Sequence, residues 1–378
     1  MIFKEMLGSF ERGFAKTSWS PQRVWSGKDR GRIEKNMSSK CPLVSVIIPT
    51  YNSAQYITEA IESVLDQTYK DFEIIVVDDG STDNTKDILE PYIRERMVQY
   101  VYQDNQGVAA ARNTGIGISN GEFVSFLDAD DILDRGSIRN RLDALHSYRG
   151  KADCVLADCI FFYDNAMKRL QDKQTLWQKR GIFEKLPKTT ILEENGQTML
   201  LNNDLYRTLI RECYFRVQSL LMSRKAFMET GGFDETLGFQ EDWDFFLRCS
   251  KLKNIVILKK PLAYIRRGTA SLSTHSDIVF SFAMVVLEKL LKNETDQNII
   301  KFIRKRIGLN SFMLGYWHYK RKERWHVLEC FYKSVRYGFY DIKMPFYVLA
   351  LALPENVLGN IRKITRKFIK NLVNEKTY

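Results

Sequence analysis

Short apolar runs that alternate with amphipathic segments between residues 43 and 131 restrict the fold more than any other feature. The runs LVSVIIP, FEIIVVD, VQYVY and FVSFL begin at residues 43, 72, 98 and 123. Strands this uniformly apolar are typical of parallel strands that helices cover on both faces. The alternation therefore predicts an α/β fold built on a mostly parallel sheet with flanking helices.

Polar residues follow three of these predicted strands at the point where each strand ends. Thr50 follows the first run, Asp79 follows the second, and Asp128 follows the fourth. The carboxyl ends of parallel strands meet at one edge of a sheet, and ligands of such sheets bind outside that edge. The sequence therefore predicts a binding site built from three separate strands.

The stretch FVSFLDADD, residues 123–131, places Asp128, Asp130 and Asp131 directly after an apolar strand. Three carboxylates this close repel one another, and the repulsion grows near a buried strand where the dielectric constant is low. A divalent cation bound through carboxylate oxygen would offset it. The alternative is a strand-to-helix turn in which one aspartate caps the next helix.

Three further segments carry polar groups, and each has a second interpretation. VVDDGSTD, residues 76–83, could hold a ribose or a base, or it could be an ordinary turn. Arg112 in GVAAARNTG could reach a phosphate or base, or it could form a surface ion pair. Asp242 in QEDWDFFLR could be a fixed general base, or it could be one of several acids that suit a helix N-terminus.

Six blocks in order carry a resemblance to a known family: PLVSVIIPTYN, FEIIVVDDGSTDNT, QGVAAARNTGI, FVSFLDADD, GGFDE and EDWDFFLR. Over residues 42–275 the chain resembles the inverting glycosyltransferases of family 2, which have a GT-A-type fold. The resemblance implies transfer of a sugar from a nucleotide-diphosphate sugar, with a UDP-sugar favoured. The acceptor would be a hydroxyl of a saccharide or lipid-linked molecule in cell-surface polysaccharide or glycolipid biosynthesis.

The resemblance also assigns roles by position. Asp242 would be the catalytic base, and Asp130 would bind Mg²⁺ or Mn²⁺. The nucleotide-sugar site would comprise Pro49, Thr50, Tyr51, Asn52, Asp79, Arg112, Asp128, Ala129 and Arg267. Some family members carry a histidine where this chain has Arg267, which puts a histidine metal ligand in doubt here. Arg267 could instead neutralise the diphosphate.

Charge divides the chain into three predicted regions. Residues 1–42 carry nine Lys and Arg against four Asp and Glu, and residues 300–378 carry seventeen against five. We expect a basic N-terminal arm at 1–40, a catalytic domain at 41–275 and a basic helical region at 276–378. Residues 150–210 show weak patterning and are interpreted as an acceptor-side insertion or a mobile loop.

The segment IRKITRKFIKNLV, residues 361–373, has the pattern of a basic amphipathic helix. Such helices lie in the plane of anionic membrane surfaces, although docking on the protein itself is the alternative. The apolar run FYVLALAL, residues 346–353, is too short to cross a bilayer. No secretory signal is visible, and six cysteines without a CxxC pair suggest reduced thiols. We expect a cytoplasmic protein at the cytoplasmic face of a membrane.

Other functions compete with glycosyl transfer. A nucleotidyltransferase would be expected to show a Gly-rich basic loop where this chain has PTYNSAQ, residues 49–55. A non-catalytic, membrane-tethered module that binds nucleotide sugars is opposed by the presence of both the DADD and ED groups. Nucleic-acid binding is suggested by charge alone, without a motif, and is not expected.

Overall fold

The first part of the sheet follows the predicted alternation of strands and helices. The computed structural model describes residues 43–165, 168–171, 174–186, 188–202, 205–268 and 276–352. Strands β1 (Val44–Thr50), β2 (Phe72–Asp78), β3 (Gln99–Tyr102) and β4 (Phe123–Phe126) alternate with helices α1 (Ile57–Leu65), α2 (Thr85–Arg94) and α3 (Val108–Ile118). β1 pairs in parallel with β2 and β4, and β2 pairs in parallel with β3. The predicted parallel sheet is confirmed.

The second part of the sheet is mixed. Its elements are β5 (Ile132–Leu133), α4 (Ser137–Ser147), β6 (Cys154–Asn165), β7 (Lys168–Gln171), α5 (Leu176–Arg180), α6 (Ile182–Lys185), β8 (Ile191–Glu194), β9 (Thr198–Leu201), α7 (Leu205–Arg211), β10 (Leu220–Ser223), α8 (Arg224–Thr230), α9 (Glu241–Leu252) and β11 (Ile255–Arg266). The strand order is β3-β2-β1-β4-β10-β6-β11-β9-β8, and β10 runs antiparallel to both of its neighbours. β6 and β11 pair in parallel.

The interpretation of residues 150–210 as a mobile loop is wrong for the part that the structure describes. β6, β8 and β9 lie within that stretch and belong to the sheet. The sequence signal is weak for a physical reason, because α5 and α6 span only five and four residues. Helices this short do not complete the two turns over which an apolar stripe becomes visible.

Four helices complete the described chain: α10 (Ser276–Asn293), α11 (Gln297–Lys320), α12 (Arg324–Arg336) and α13 (Met344–Ala352). Val286 and Leu287 of α10, together with Ile303 and Ile307 of α11, are fully buried in the same core as the sheet. Asp296 caps α11, because its carboxylate accepts hydrogen bonds from the backbone N–H groups of residues 298 and 299. The first two C-terminal helices therefore pack directly on the core of the sheet.

A turn precedes the first helix, and two predicted segments cannot be compared with the structure. α1 begins at Ile57, and the Ser53 carbonyl accepts from the backbone N–H groups of Tyr56 and Ile57, so a turn precedes the helix. The N-terminal arm and the basic segment 361–373 lie outside the described residues. Within the described ranges, every helix is either too short or too polar to cross a bilayer.

Candidate active site

The carboxylate of Asp79 holds the entrance of α3 against the sheet edge. Its Oδ1 accepts from the Gln103 side chain at 2.7 Å and from the Gln106 N–H at 2.9 Å, and its Oδ2 accepts from the Gly107 N–H at 2.8 Å. The Asp79 N–H in turn donates to the Thr50 carbonyl at 2.8 Å. Because α3 begins directly after Gly107, this carboxylate lies at the positive end of the helix dipole.

Asn52 joins the loop after β1 to the loop after β2. Its backbone adopts a left-handed conformation, with a φ of 49°, which asparagine tolerates better than most residues. The Asn52 side-chain oxygen accepts from the backbone N–H groups of Thr82 and Asp83 at 2.7 and 3.3 Å. Beside it, Tyr51 is half-exposed, and the buried Thr50 hydroxyl has no hydrogen-bond partner among the described residues. This edge therefore retains a polar group for a ligand.

Arg112 connects the end of β4 to the start of α9. The residue is only 3% exposed, and its guanidinium donates to Asp128 Oδ1 at 2.8 Å and to Glu241 Oε1 at 2.6 Å. Burial alone would lower the pKa of this guanidinium, but the two carboxylates raise it above its usual range. A permanently charged arginine thus fixes the DADD segment relative to the ED segment.

Two of the three aspartates after β4 are held by protein donors. Gln218 Nε2 donates to Asp128 Oδ2 and to Asp131 Oδ2, both at 2.5 Å. The Arg266 N–H donates to Asp131 Oδ1 at 2.8 Å. Burial, followed by the charges of Asp130 and Asp128, raises the pKa of Asp131 well above its usual value. These hydrogen bonds fix the positions of the Asp128 and Asp131 carboxylates within the segment.

Asp130 is the member of the group that faces the cleft. It is open to solvent, but the cleft walls surround it, and burial together with Asp128 raises its pKa to about 6. Among the described residues, no side chain donates a hydrogen bond to the Asp130 carboxylate. A carboxylate with spare oxygen lone pairs is the ligand that Mg²⁺ and Mn²⁺ prefer. The donor chemistry at this position therefore fits the predicted cation.

A cleft of about 620 Å³ lies between the end of β4 and the start of α9. Of the predicted site residues, five line it: Arg112, Asp128, Asp130, Asp242 and Arg267. The other six lie outside its lining, along the neighbouring ends of β1, β2 and β4: Pro49, Thr50, Tyr51, Asn52, Asp79 and Ala129. The structure thus brings the predicted metal ligand and the predicted base to one cleft.

Asp242 occupies the first turn of α9 and is half-buried in the cleft wall. Its Oδ1 accepts from the Trp243 N–H at 2.7 Å. The preceding Gln240 has a left-handed backbone with a φ of 63°, and its side chain donates to the Val279 carbonyl of α10 at 2.9 Å. The two residues of the ED pair therefore have different surroundings. Glu241 forms an ion pair with Arg112, and Asp242 faces the cleft.

Several side chains of the site belong to no recognisable motif in the sequence. Gln218 is the second residue of the segment VQSLLMS, residues 217–223, where no motif marks a residue that bridges two carboxylates. Arg266 adjoins the predicted Arg267, and its guanidinium lies 2.6 Å from Glu59 and over the Tyr56 ring. The Arg267 guanidinium lies 4.0 Å from the centre of the Phe161 ring.

Comparison with known proteins gives the family. The profile described as Glycosyl transferase family 2 matches residues 45–206. The chain is 43% identical over 258 residues to the glycosyltransferase GlyG of Streptococcus pneumoniae, an alignment that covers 66% of this chain and 81% of that protein. The chain belongs to glycosyltransferase family 2. This membership argues against the alternative of a nucleotidyltransferase.

Other relatives of this family 2 glycosyltransferase align over smaller shares of their length. An uncharacterized glycosyltransferase of Rickettsia conorii is 31% identical, over 71% of this chain and 41% of that protein. The chain thus spans about two fifths of the length of that relative. The putative teichuronic acid biosynthesis glycosyltransferase TuaG of Bacillus subtilis is 43% identical over 28% of this chain and 43% of that protein.

Solved structures show the fold. Staphylococcus aureus TarS, residues 1–349 in complex with UDP-GlcNAc, matches with a TM-score of 0.56 and 18% identity over 82% of this chain and 84% of that chain. A longer TarS structure matches with a TM-score of 0.54 and 19% identity over 82% of this chain and 51% of that chain. The family 2 glycosyltransferase therefore has the predicted GT-A-type fold.

Proposed function

We propose that this glycosyltransferase moves a sugar from a nucleotide-diphosphate sugar to an acceptor hydroxyl with inversion at the anomeric carbon. The observation that supports this most strongly is the double ion pair of Arg112 with Asp128 and Glu241. Each partner is close in sequence to a carboxylate that faces the cleft, Asp130 in one case and Asp242 in the other. One buried guanidinium thus sets the spacing of the two groups that the reaction requires.

The nucleotide would bind along the carboxyl ends of β1, β2 and β4. Thr50, Tyr51, Asn52 and Asp79 would contact the base, with Pro49 and Ala129 shaping the pocket floor through their backbones. Asp128 would contact the ribose, and Arg267 would lie near the diphosphate. We favour UDP because the TarS structure that shares this fold is a complex with UDP-GlcNAc. Asp130 would hold Mg²⁺ or Mn²⁺, which supplies Lewis-acid neutralisation of the leaving diphosphate.

Asp242 would act as the general base. Its carboxylate accepts the proton of the acceptor hydroxyl while the hydroxyl oxygen bonds to the anomeric carbon, and the bond from that carbon to the diphosphate breaks. Attack from the face opposite the leaving group inverts the configuration. A positioned base contributes about 10²–10⁴-fold to such a step. The similarity to TuaG, a putative teichuronic acid biosynthesis glycosyltransferase, supports a role in polysaccharide biosynthesis.

We also propose peripheral attachment to the cytoplasmic face of a membrane, where lipid-linked acceptors are found. α13 supports this because Phe346 is 66% exposed and Leu349 is also exposed, although the helix is strongly apolar. The basic segment 361–373 would add attraction to anionic lipid. Flotation with anionic liposomes tests the proposal. The full chain should float, and a chain truncated before residue 344 that floats equally well would contradict it.

Incubation with a panel of nucleotide sugars and Mn²⁺ or Mg²⁺ tests the reaction itself. We expect release of nucleoside diphosphate with at least one donor, loss of release when the cation is chelated, and an inverted anomeric configuration by NMR. Asp143→Asn, a change on an exposed face of α4, is the matched control for carboxylate variants. Retention of configuration in the product would contradict the inverting mechanism. Absence of release with every donor would favour the non-catalytic binding module.

A further inference from the structure

One wall of the cleft carries more arginines than the proposed reaction uses. We define the arginine wall as four cleft-lining residues on separate parts of the chain: Arg180, Arg211, Arg216 and Arg306. The first two end helices α5 and α7, the third precedes a short 3-10 helix, and the fourth lies in α11. Three of the four lie beyond residue 206, where the match to the family profile ends.

The guanidinium groups of this wall line one cleft, and their charges act on shared neighbours. Burial raises the pKa of the Tyr214 hydroxyl, while the positive charges of Arg180, Arg211 and Arg306 act on it in the opposite direction, so all three lie near this hydroxyl. Burial lowers the pKa of Arg180, and the charges of Arg216 and Arg267 lower it further. The wall therefore concentrates like charges that repel one another.

Protein carboxylates compensate only part of this charge. Glu212 pairs with Arg180 and also lies 3.7 Å from Lys185. Arg211 lies over the Phe302 ring, at 5.3 Å from its centre, and it has no carboxylate partner among the described residues. The Arg306 Nε is enclosed and has no hydrogen-bond acceptor within the described chain. Buried donors without acceptors are costly, and an anionic ligand would satisfy them.

The position of the wall indicates which substrate it contacts. Burial lowers the pKa of Arg216, but Cys213, Asp242 and Asp131 raise it, so Arg216 lies within electrostatic range of the proposed base and lines the same cleft. The base must meet the acceptor hydroxyl, so residues that surround Asp242 in the cleft are placed to contact the acceptor. Phe280 and Asn310 of the C-terminal helices line the same cleft, and Asn310 belongs to the same helix as Arg306.

We propose that the arginine wall binds an anionic acceptor, a saccharide that carries phosphate or carboxylate groups next to the hydroxyl that receives the sugar. The inference rests on the proposed function for the identity of Asp242 as the base. The cleft volume of about 620 Å³ lies within the range of roughly 300–1,000 Å³ that is usual for small-molecule sites. Guanidinium forks match the geometry of phosphate and carboxylate oxygens, which gives such a wall specificity as well as attraction.

Calorimetric titration of the full chain tests this inference with three probes. Two are anionic, a tetrasaccharide containing glucuronic acid and a trimer of glycerol phosphate, and chitotetraose is neutral. Titrations are run with and without UDP and Mn²⁺. We expect at least one anionic probe to bind roughly tenfold tighter than chitotetraose, because a charge-assisted hydrogen bond is worth about one decade in affinity. Equal affinities for all three probes would overturn the inference.

The double variant Arg211→Gln/Arg306→Gln should lose roughly tenfold in affinity for the preferred anionic probe. Its affinities for UDP with Mn²⁺ and for chitotetraose should change less than about twofold, and Arg149→Gln, an exposed arginine of the loop after α4, should match the wild type throughout. Arg211→Gln alone changes an exposed residue and should lower the affinity for the preferred anionic probe about threefold. This single variant keeps the inference testable if the double variant misfolds. Loss of UDP affinity instead would assign the wall to the donor diphosphate and overturn the inference.

These measurements separate the inference from the proposed function. Binding of the probes requires no turnover, so an anion preference can stand even if no nucleotide sugar is consumed. Conversely, turnover with neutral acceptors and no preference among the probes would leave the proposed reaction intact and remove the anionic acceptor.

Discussion

The two sides of the cleft differ in how their charges are compensated. At the end of β4, Arg112 and Gln218 satisfy Asp128, Asp131 and Glu241 through direct hydrogen bonds. On the arginine wall, Arg211 and Arg306 have no carboxylate partner among the described residues. A network of paired charges rigidifies a site, whereas unpaired charge remains available for a ligand. The contrast separates the scaffold of the site from its recognition surface.

Removal of the Arg112 guanidinium should lower the free energy of unfolding more than any other change proposed here. Arg112→Leu leaves the carboxylates of Asp128 and Glu241 without their shared partner, and such a loss typically costs about 3–5 kcal/mol. Urea unfolding at pH 7 measures it, with Arg149→Leu as a control expected to stay within about 0.5 kcal/mol. Burial already raises the pKa of Glu241, so protonation should relieve the variant at lower pH. A loss below about 1 kcal/mol at pH 7 would contradict the role assigned to Arg112.

Loss of the Gln218 side-chain amide should lower stability less than loss of the Arg112 guanidinium. Gln218→Leu removes the donor to Asp128 and Asp131 without adding charge, and we expect about 1–3 kcal/mol of lost stability. Thermal unfolding measures the change, and Gln197→Leu on an exposed turn is the control. A variant as stable as the wild type would mean that the two aspartates do not depend on this amide.

The paired side was easier to predict than the other one because its elements are local and periodic. β1 through β4 each follow an apolar run, and their carboxyl ends had to meet once the strands were parallel. The family resemblance added roles for Asp130 and Asp242, and the structure places both in one cleft. The expected roles of Thr50, Tyr51, Asn52 and Asp79 remain predictions, since these residues lie outside that cleft.

The arginine wall could not be predicted because it is assembled from distant parts of the chain. Arg180 and Arg306 are separated by more than a hundred residues, and each alone resembles an ordinary surface charge. Gln218 likewise sits 90 residues from Asp128, in a segment that reads as apolar. Contacts of this range depend on the packing of α10 and α11 against the sheet, which no local pattern encodes.

Acidity should weaken the cation site on the paired side in a defined range. The pKa of Asp130 is raised to about 6, so its carboxylate is ionised above that pH and protonated below it. The affinity for UDP with Mn²⁺ should therefore fall by about tenfold per pH unit below 6, since a proton competes with the cation. Calorimetry across pH 5–8 checks this, and Asp130→Asn should remove the step. A flat profile in the wild type would contradict the assignment.

Loss of an exposed ion pair outside the cleft should have the smallest effect on stability. Lys151 and Glu193 lie 2.6 Å apart with side chains 58% and 47% exposed. Lys151→Ala should cost no more than about 0.2–1 kcal/mol in urea unfolding, because water screens the pair. Glu193→Ala removes the other partner of the same pair and should lower the free energy of unfolding by a similar amount. A loss comparable with that of Arg112→Leu would show that burial does not control the cost.

The most direct test of the account compares Asp130→Ala and Asp242→Asn in one set of assays. Both variants should lose turnover, by about 10²–10⁴-fold for the base. Only Asp130→Ala should also weaken the binding of UDP in the presence of Mn²⁺, while Asp242→Asn should bind as the wild type does. Near-normal turnover in Asp242→Asn would contradict the assignment of Asp242 as the base. Intact cation-dependent binding of UDP in Asp130→Ala would contradict the assignment of Asp130 as the cation ligand.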